Sequence, residues 1–444
     1  MLSKYFEFGR NKTNMKTEIL AGITTFLAAM YIIVVNPAIL SKTGMPFNAV
    51  LTATILVSAF CTIMMGIYAK NPLLVAPGMG LNAFFTFSVV LGMGVKWETA
   101  LGSVFWAGII FILLSVFNIR TYIVKAIPKQ IRYSVSVGIG LFIALIGFVN
   151  AKFIVSNPAT IVGLGHLEPT TITFLVGLLI TSVLVLRKVK GALIIGIIST
   201  TVLAIPIGRL YGNASAINFG VPTLVTWRGI FSMPDFSLIG RLDLIGSLQF
   251  ALFPVAFAFL FTDMFDSLST FVGVAEAANL LDEQGEPRNI KQSLIVDAVA
   301  TTLAGLVGSS PGTAYIESAT GVEEGGRTGM TALTAGLLFL PFMFISPLLS
   351  IVPSIATSPA LILVGVFMMK PVLKINWTKF DDAIPAFISL VLIPFTYSIT
   401  EGIIWGFLSW TLIKFLLGKT KEISPMLIII DLFAILALVL SQNK

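Results

Sequence analysis

The sequence predicts an all-α integral membrane protein of about 14 transmembrane spans, arranged as two inverted repeats of seven. Three observations predict it. The 444 residues are 56% hydrophobic and only 11% charged, against roughly a quarter charged in soluble domains, so a soluble surface cannot be built from them. Apolar runs of about 18 residues or more recur along the whole chain, each long enough to cross about 30 Å of hydrocarbon. A Pro-Gly pair interrupts an apolar segment at a matching place in each half.

Taken in order, the first half offers apolar segments at 17–40, 47–69, 73–91, 97–118, 127–150, 170–186 and 191–210. The second offers 244–275, 293–307, 312–321, 328–351, 359–369, 383–397 and 402–417, with a further apolar stretch at 425–440 that spans, packs on the bundle or lies at the interface. Positive charge tests the count. With the N-terminus inside, even-numbered connections should be cytoplasmic and basic. They carry Lys70; Arg120, Lys125, Lys129 and Arg132; Arg187, Lys188 and Lys190; Arg288 and Lys291; Arg327; Lys370, Lys374 and Lys379; and Lys419 and Lys421. Odd connections hold scattered bases such as Lys42, Lys96 and Lys152. The net charge of +7 therefore sets topology and is no nucleic-acid footprint. The charged stretch 1–16 leads into an apolar segment without a small-residue cleavage site, so that segment reads as a first membrane helix. Cys61 sits alone in an apolar run, which excludes an intramolecular disulfide.

Each half has two long spans, then a segment broken by glycine and proline. The first break runs from Val75 through Pro77-Gly78 to Asn82, Phe84 and Phe85; the second runs from Gly308 through Pro311-Gly312 to Tyr315 and Glu317. An odd number of spans per half gives the repeats opposite orientation. Paired broken segments at corresponding positions are the best sequence pointer to a transporter's midplane site; two unrelated proline kinks would be the bland alternative.

Ionisable residues deep in a membrane cost about 2.5–3.5 kcal/mol on insertion scales and are functional candidates by default. Asp263 and Asp266 lie inside the eighth segment at a spacing that puts both on one helical face. Asp297 lies within the ninth, and Glu317 follows the second break. A carboxyl that takes up a proton on one side and releases it on the other suits proton coupling. One such acid could simply tie two spans together; four structural acids would be unusual. Asn82 either satisfies backbone groups freed by its break or offers a donor and an acceptor to a ligand. Glu323 and Glu324 read as solvated, and His166 and Glu168 as outer-loop bystanders. Gly418-Lys419-Thr420 lacks the earlier glycine of a phosphate-binding loop, leaving secondary transport. No Cys/His cluster offers a zinc site, and no cofactor is implied. The Asp263/Asp266 pair lacks the second acidic cluster and basic residues that an intramembrane prenyltransferase needs.

These residues resemble the AzgA-like branch of the nucleobase–cation symporters, the hypoxanthine, adenine and guanine permeases. The similarity covers nearly the whole chain and concentrates in EILAGITTFLAAMYIIVVNPAIL (18–40), APGMGLNAFF (76–85), TDMFDSLSTFVGVAEAANLL (262–281) and YIESATGVEEGGRTG (315–329). The resemblance implies that spans 3 and 10 are each a short strand followed by a half-helix. It also implies a core domain (17–118 and 244–351) moving against a gate domain (119–210 and 352–418). Residues 1–16 would form a cytoplasmic segment, 211–243 an extracytoplasmic loop, and 419–444 an apolar C-terminal segment. By the same resemblance Asp263 and Glu317 are the main purine-binding carboxyls, Asn82 faces them, and Asp266 and Asp297 support the site and the proton pathway. Tyr315 matches an aromatic that packs near the base in more distant uracil transporters. Phe84, Phe85 or Tyr315 could stack on a purine face, although helix packing accounts for the two phenylalanines as readily. The strand sequence Ser309-Ser310-Pro311-Gly312-Thr313 departs from more threonine-rich versions. The implied function is proton-coupled (rather than sodium-coupled) purine uptake across the cytoplasmic membrane, with no enzymatic activity; a homodimer is compatible with it. A pyrimidine or small-anion cargo on the same fold, or an intramembrane enzyme, are the alternatives.

Overall fold

The computed structural model describes residues 2–117, 127–210, 230–278, 280–281 and 287–442. Spans 1 and 2 are Met15–Thr43 and Phe47–Ala69; span 3 is a strand, β1 (Val75–Pro77), followed by the half-helix Met79–Gly92. Spans 4 to 7 are Trp97–Val116, Lys129–Asn150, Pro169–Leu186 and Ala192–Leu210. Two further strands, β2 (Ile154–Asn157) and β3 (Ile161–Leu164), lie between spans 5 and 6. Span 8 is Phe253–Ala278 and span 9 Ile290–Val307; span 10 is β4 (Gly312–Ala314) with the half-helix Ser318–Glu323. Spans 11 to 14 are Gly329–Phe344, Ser354–Lys374, Phe380–Thr396 and Ile399–Leu416. The chain is thus an all-α membrane protein of two seven-span halves with matching breaks. Arg120 and Lys125, residues 211–229 of the long loop, and 282–286 of the connection between spans 8 and 9 lie outside the described residues.

The two halves meet through their breaks. β1 and β4 pair antiparallel, with Val75 opposite Ala314, Ala76 opposite Thr313 and Pro77 opposite Gly312. The ladder extends through the Tyr315 amide to the Leu74 carbonyl and the Gly78 amide to the Pro311 carbonyl, both 2.9 Å. Non-helical backbone at membrane depth survives only when protein satisfies its polar groups. Thr62 of span 2 and Ser318 do so at the outer edge of β1: Thr62 Oγ1 donates to the Val75 carbonyl (2.9 Å), and Ser318 Oγ accepts the Leu74 amide (2.9 Å).

Around this pair, span 9 packs on span 4, and span 11 on spans 1 and 2. Spans 5, 12 and 13 form a second group, with 14 against 13 and 6 against 7. Spans 2 and 11 cross with backbone in contact: a Cβ on Gly329 would strike the Gly66 carbonyl oxygen, so only glycine fits there.

Boundaries differ from expectation where polar turns or prolines intervene. Span 8 starts at Phe253 and not at 244, because Asp243 Oδ1 accepts the Gly246 amide (2.8 Å) and folds the preceding residues into short 3-10 turns. Span 12 starts five residues before Pro359, which is accommodated inside the helix. The β2–β3 hairpin fills what read as plain loop, and His166 and Glu168 lie exposed just past it. The segment after span 14 is a helix, Pro425–Gln442, packed on span 14 through buried Leu427, Ile430 and Ala434.

Candidate functional site

A cavity of about 700 Å³ lies between the two groups of spans. Its inner end is built from Tyr31 of span 1, Met79 and Gly80 of span 3, Asp266 of span 8, and Tyr315 and Glu317 of span 10. Tyr133 and Ser136 of span 5 and Val364, Phe367 and Met368 of span 12 wall the opposite side. It extends to Arg132, Lys291, Lys370 and Lys374, at the ends of spans 5, 9 and 12 on the face of the basic connections.

Local sequence explains how each group arrives there. Span 1 is two helices, Met15–Ala29 and Ile32–Leu40, and Tyr31 stands at their junction. Its hydroxyl donates to Glu317 Oε1 at 2.7 Å. Glu317 immediately precedes the short helix Ser318–Glu323, where the chain turns from β4. Tyr315 donates to the Pro77 carbonyl at 2.5 Å, binding span 10 to the end of β1. The rings of Tyr31 and Tyr315 lie 6.5 Å apart, tilted by 42°. Two carboxylates and two phenols thus converge at one end of a cavity otherwise rich in apolar side chains, which is the composition of a small-molecule site.

The other expected residues lie behind this surface. Asp263, one turn before Asp266, is fully buried, does not line the cavity, and accepts a hydrogen bond from Thr301 of span 9, which also reaches the Gly312 carbonyl (3.1 Å). Ser267 ties span 8 to β4 through Thr313 Oγ1 (2.7 Å). Asp297 is fully buried in span 9 outside the cavity wall. Asn82 is fully buried and does not line the cavity; its amide nitrogen lies 3.9 Å from Met79 Sδ and its carbonyl oxygen accepts from Ser310 Oγ, while Asn36 donates to Ser309 Oγ (3.1 Å) and Thr54 Oγ1 (2.8 Å) in the same buried network. Phe84 and Phe85 pack on Phe259 of span 8, with ring centroids 4.9 and 6.4 Å apart. Glu323 and Glu324 are exposed, and Glu324 pairs with Lys190 (2.8 Å). Among the described residues no cluster of three metal-ligating side chains occurs.

Sequence reasoning missed several groups. Tyr31 carried a signal: a phenol inside an apolar run needs a partner. Glu18 is fully buried, and its carboxylate accepts from the Arg327 amide (2.9 Å), the Thr328 amide (3.3 Å), and the Thr331 amide and hydroxyl (3.2 and 2.6 Å). It thereby caps the start of span 11 with negative charge, where the helix dipole favours it. Arg288 donates to Asn11 Oδ1 (2.7 Å) and to the carbonyls of Lys70 (3.0 Å) and Arg327 (2.9 Å), joining three connections on one face.

The fold and the sequence both have relatives. Among solved structures, the transmembrane domain of the cyanobacterial bicarbonate transporter BicA superposes with a TM-score of 0.66 at 16% identity, covering 88% of this chain and 97% of that one. At this identity the likeness is one of fold alone. The adenine permease AdeP of Escherichia coli is 41% identical over 99% of this chain and 96% of its own. The guanine/hypoxanthine permease PbuO of Bacillus subtilis is 43% identical over 97% and 98%. A family model described as the Permease family matches residues 16–404. The chain therefore belongs to this permease family of multi-pass membrane proteins, together with relatives named as adenine and guanine/hypoxanthine permeases.

Proposed function

We propose that this protein imports a purine nucleobase together with protons, by alternating access, and that the inner end of the cavity is where the base binds. The convergence of Asp266 and Glu317 with two tyrosines at the crossing of the broken spans carries this reading. A purine is flat and neutral, with adjacent N–H donors along its edge. A carboxylate held through one oxygen, as Glu317 is at Oε1 by Tyr31, presents its remaining acceptor capacity to such a donor in a fixed direction. The tyrosine rings offer faces for stacking. In this reading Glu317, Asp266 and Tyr315 meet the base. Asp263 and Asp297 stand one layer behind as acids of the proton route, and Asn82, Phe84 and Phe85 brace the half-helix of span 3.

Spans 1–4 and 8–11 act as the core, and spans 5–7 and 12–14 as the gate. Rocking of one against the other would close the cavity on one side and open it on the other. In this reading the basic connections face the cytoplasm, the N-terminus is inside, and the cavity opens toward the cell interior. An anion cargo is disfavoured by two carboxylates at the cavity's inner end.

The test is uptake of radiolabelled adenine, guanine, hypoxanthine and uracil by a purine-transport-deficient bacterium, with Glu317→Gln and a protonophore as controls. Purine uptake lost in both is the expected result. Entry of uracil alone would retain the fold and reject the cargo; undiminished uptake under the protonophore would reject proton coupling.

A further inference from the structure

A bicyclic base has about ten non-hydrogen atoms, whereas 700 Å³ falls within the ~300–1,000 Å³ of pockets that enclose much larger ligands. The remainder of the cavity has a distinct chemistry. Its open end is lined by Arg132, Lys291, Lys370 and Lys374. Among the described residues none of the four enters an ion pair; Lys374 lies over the Tyr133 ring, 5.9 Å from its centroid, and Arg132 Nε is buried without a hydrogen-bond partner. Several other cations on the same face are engaged, Lys190 by Glu324, Lys414 and Lys419 by Asp381, and Arg288 by backbone carbonyls, whereas Lys129, Arg187, Lys188 and Lys421 form no ion pair among the described residues but do not line the cavity. Basic residues on this face serve topology, but topology does not require four of them to share the wall of one cavity. Between the acidic inner end and the basic mouth stand the apolar side chains of span 12 and the hydroxyls of Ser136 and Ser269.

We infer that the cavity also takes a purine nucleoside monophosphate from the side to which it opens, as an inhibitor that is not transported. The base would occupy the Asp266–Glu317 end, the sugar the middle, and the phosphate the four cations. This deepens the purine reading and rests on it. A phosphate monoester carries about −1.5 to −2 charges at neutral pH, which matches a mouth of unpaired cations and opposes passage through the hydrocarbon. Lys370 and Lys374 sit at the end of span 12, a wall that must close over the site during transport. A phosphate held there keeps the cavity open. Such a nucleotide is what results when a reaction attaches ribose phosphate to an imported base, so occupancy would report that the cell is already supplied.

The experiment uses the purified full-length protein, first measuring binding of labelled adenine, guanine and hypoxanthine, then displacement by AMP and GMP. Inorganic phosphate, ribose 5-phosphate and anionic phospholipid serve as separate competitors. The expected result is displacement by a nucleotide whose base is the one bound, with little from ribose 5-phosphate. Lys370→Gln/Lys374→Gln should weaken the nucleotide about tenfold, as for loss of one charge-assisted hydrogen bond, while base affinity stays within about twofold. Base binding without nucleotide displacement overturns this inference and leaves the purine reading standing. Equal displacement by ribose 5-phosphate, phosphate or anionic lipid, or an unchanged nucleotide effect in the double variant, also overturns it. Failure of every purine to bind in the first arm brings down the purine reading itself.

Discussion

Tyr31→Phe isolates one atom of the proposed site. The hydroxyl donates to Glu317 Oε1 at 2.7 Å, and the ring is 1% exposed, so phenylalanine keeps the packing and removes only the donor. A hydrogen bond to a charged group contributes about 1.5–3 kcal/mol, equivalent to about 10- to 150-fold in an equilibrium constant. If Tyr31 fixes the direction in which Glu317 presents its other oxygen, base affinity falls by roughly the lower part of that range, ~10- to 50-fold. The bound base can recover some of the loss by holding the carboxylate itself. The assay is equilibrium binding of labelled purine to purified protein, alongside uptake normalised to membrane abundance. A double-mutant cycle with Glu317→Gln gives the decisive comparison: in that background Tyr31→Phe should change affinity by less than about threefold. Affinity within twofold of the parent for Tyr31→Phe alone, or additive effects in the cycle, would refute the claim that the phenol acts through Glu317.

Glu18→Ala leaves four donors at the start of span 11 without their acceptor and should destabilise the protein by about 3–5 kcal/mol, since each buried unsatisfied donor costs about 1–3 kcal/mol and some recover other partners, read as lower melting temperature in detergent with base affinity unchanged in whatever folds. Lys414 is fully buried against Asp381 Oδ2, Asp382 Oδ1 and Glu422 Oε2 at 2.7–2.8 Å; Lys414→Ala should cost about 3 kcal/mol of stability, read as a lower melting temperature, by removing the buried cation of this cluster and leaving the half-exposed Lys379 and Lys419 to hold the carboxylates. Asn82→Ala should lower the melting temperature through the Ser310 contact while changing base affinity less than threefold; a tenfold affinity loss at parental stability would instead place Asn82 against the substrate. Gly329→Ala should prevent accumulation of folded protein, seen as loss of the monodisperse peak on size exclusion, since its methyl would occupy the Gly66 carbonyl.

The fold was legible because the bilayer imposes coarse rules. Fourteen apolar segments, alternating basic connections and two Pro-Gly breaks follow from span length, topology and backbone satisfaction, and the helices answer to them with shifts at spans 8 and 12. The hairpin between spans 5 and 6 escaped because its strands, Ile154–Asn157 and Ile161–Leu164, are four residues each, so that Ile154, Val155, Ile161 and Val162 form pairs too short to show an alternating pattern. The candidate site was legible by residue type and less so by direction. Burial cost singles out Asp263, Asp266, Asp297 and Glu317 without saying which way each points, and an i, i+3 spacing puts Asp263 and Asp266 on one face at different depths. Only the pairing of β1 with β4 settles the rest. It sets Thr301 and Gly312 beside Asp263 and leaves Asp266 in the cavity wall.

That pairing also explains why the polar residues fall into two populations. The crossing of β1 and β4 must satisfy its backbone and hydroxyl groups without water. Asn36, Thr54, Asn82, Ser309 and Ser310 bond among themselves, all fully buried. Tyr31, Tyr315 and Glu317 bond to one another or to the strand end while still bordering an open cavity. A closed network rigidifies a scaffold, whereas a partly engaged one keeps acceptor capacity for a ligand. Both networks attach to the same pair of three-residue strands, the first through Ser309 and Ser310 just before β4, the second through the Pro77 carbonyl that ends β1 and Tyr315 just after β4.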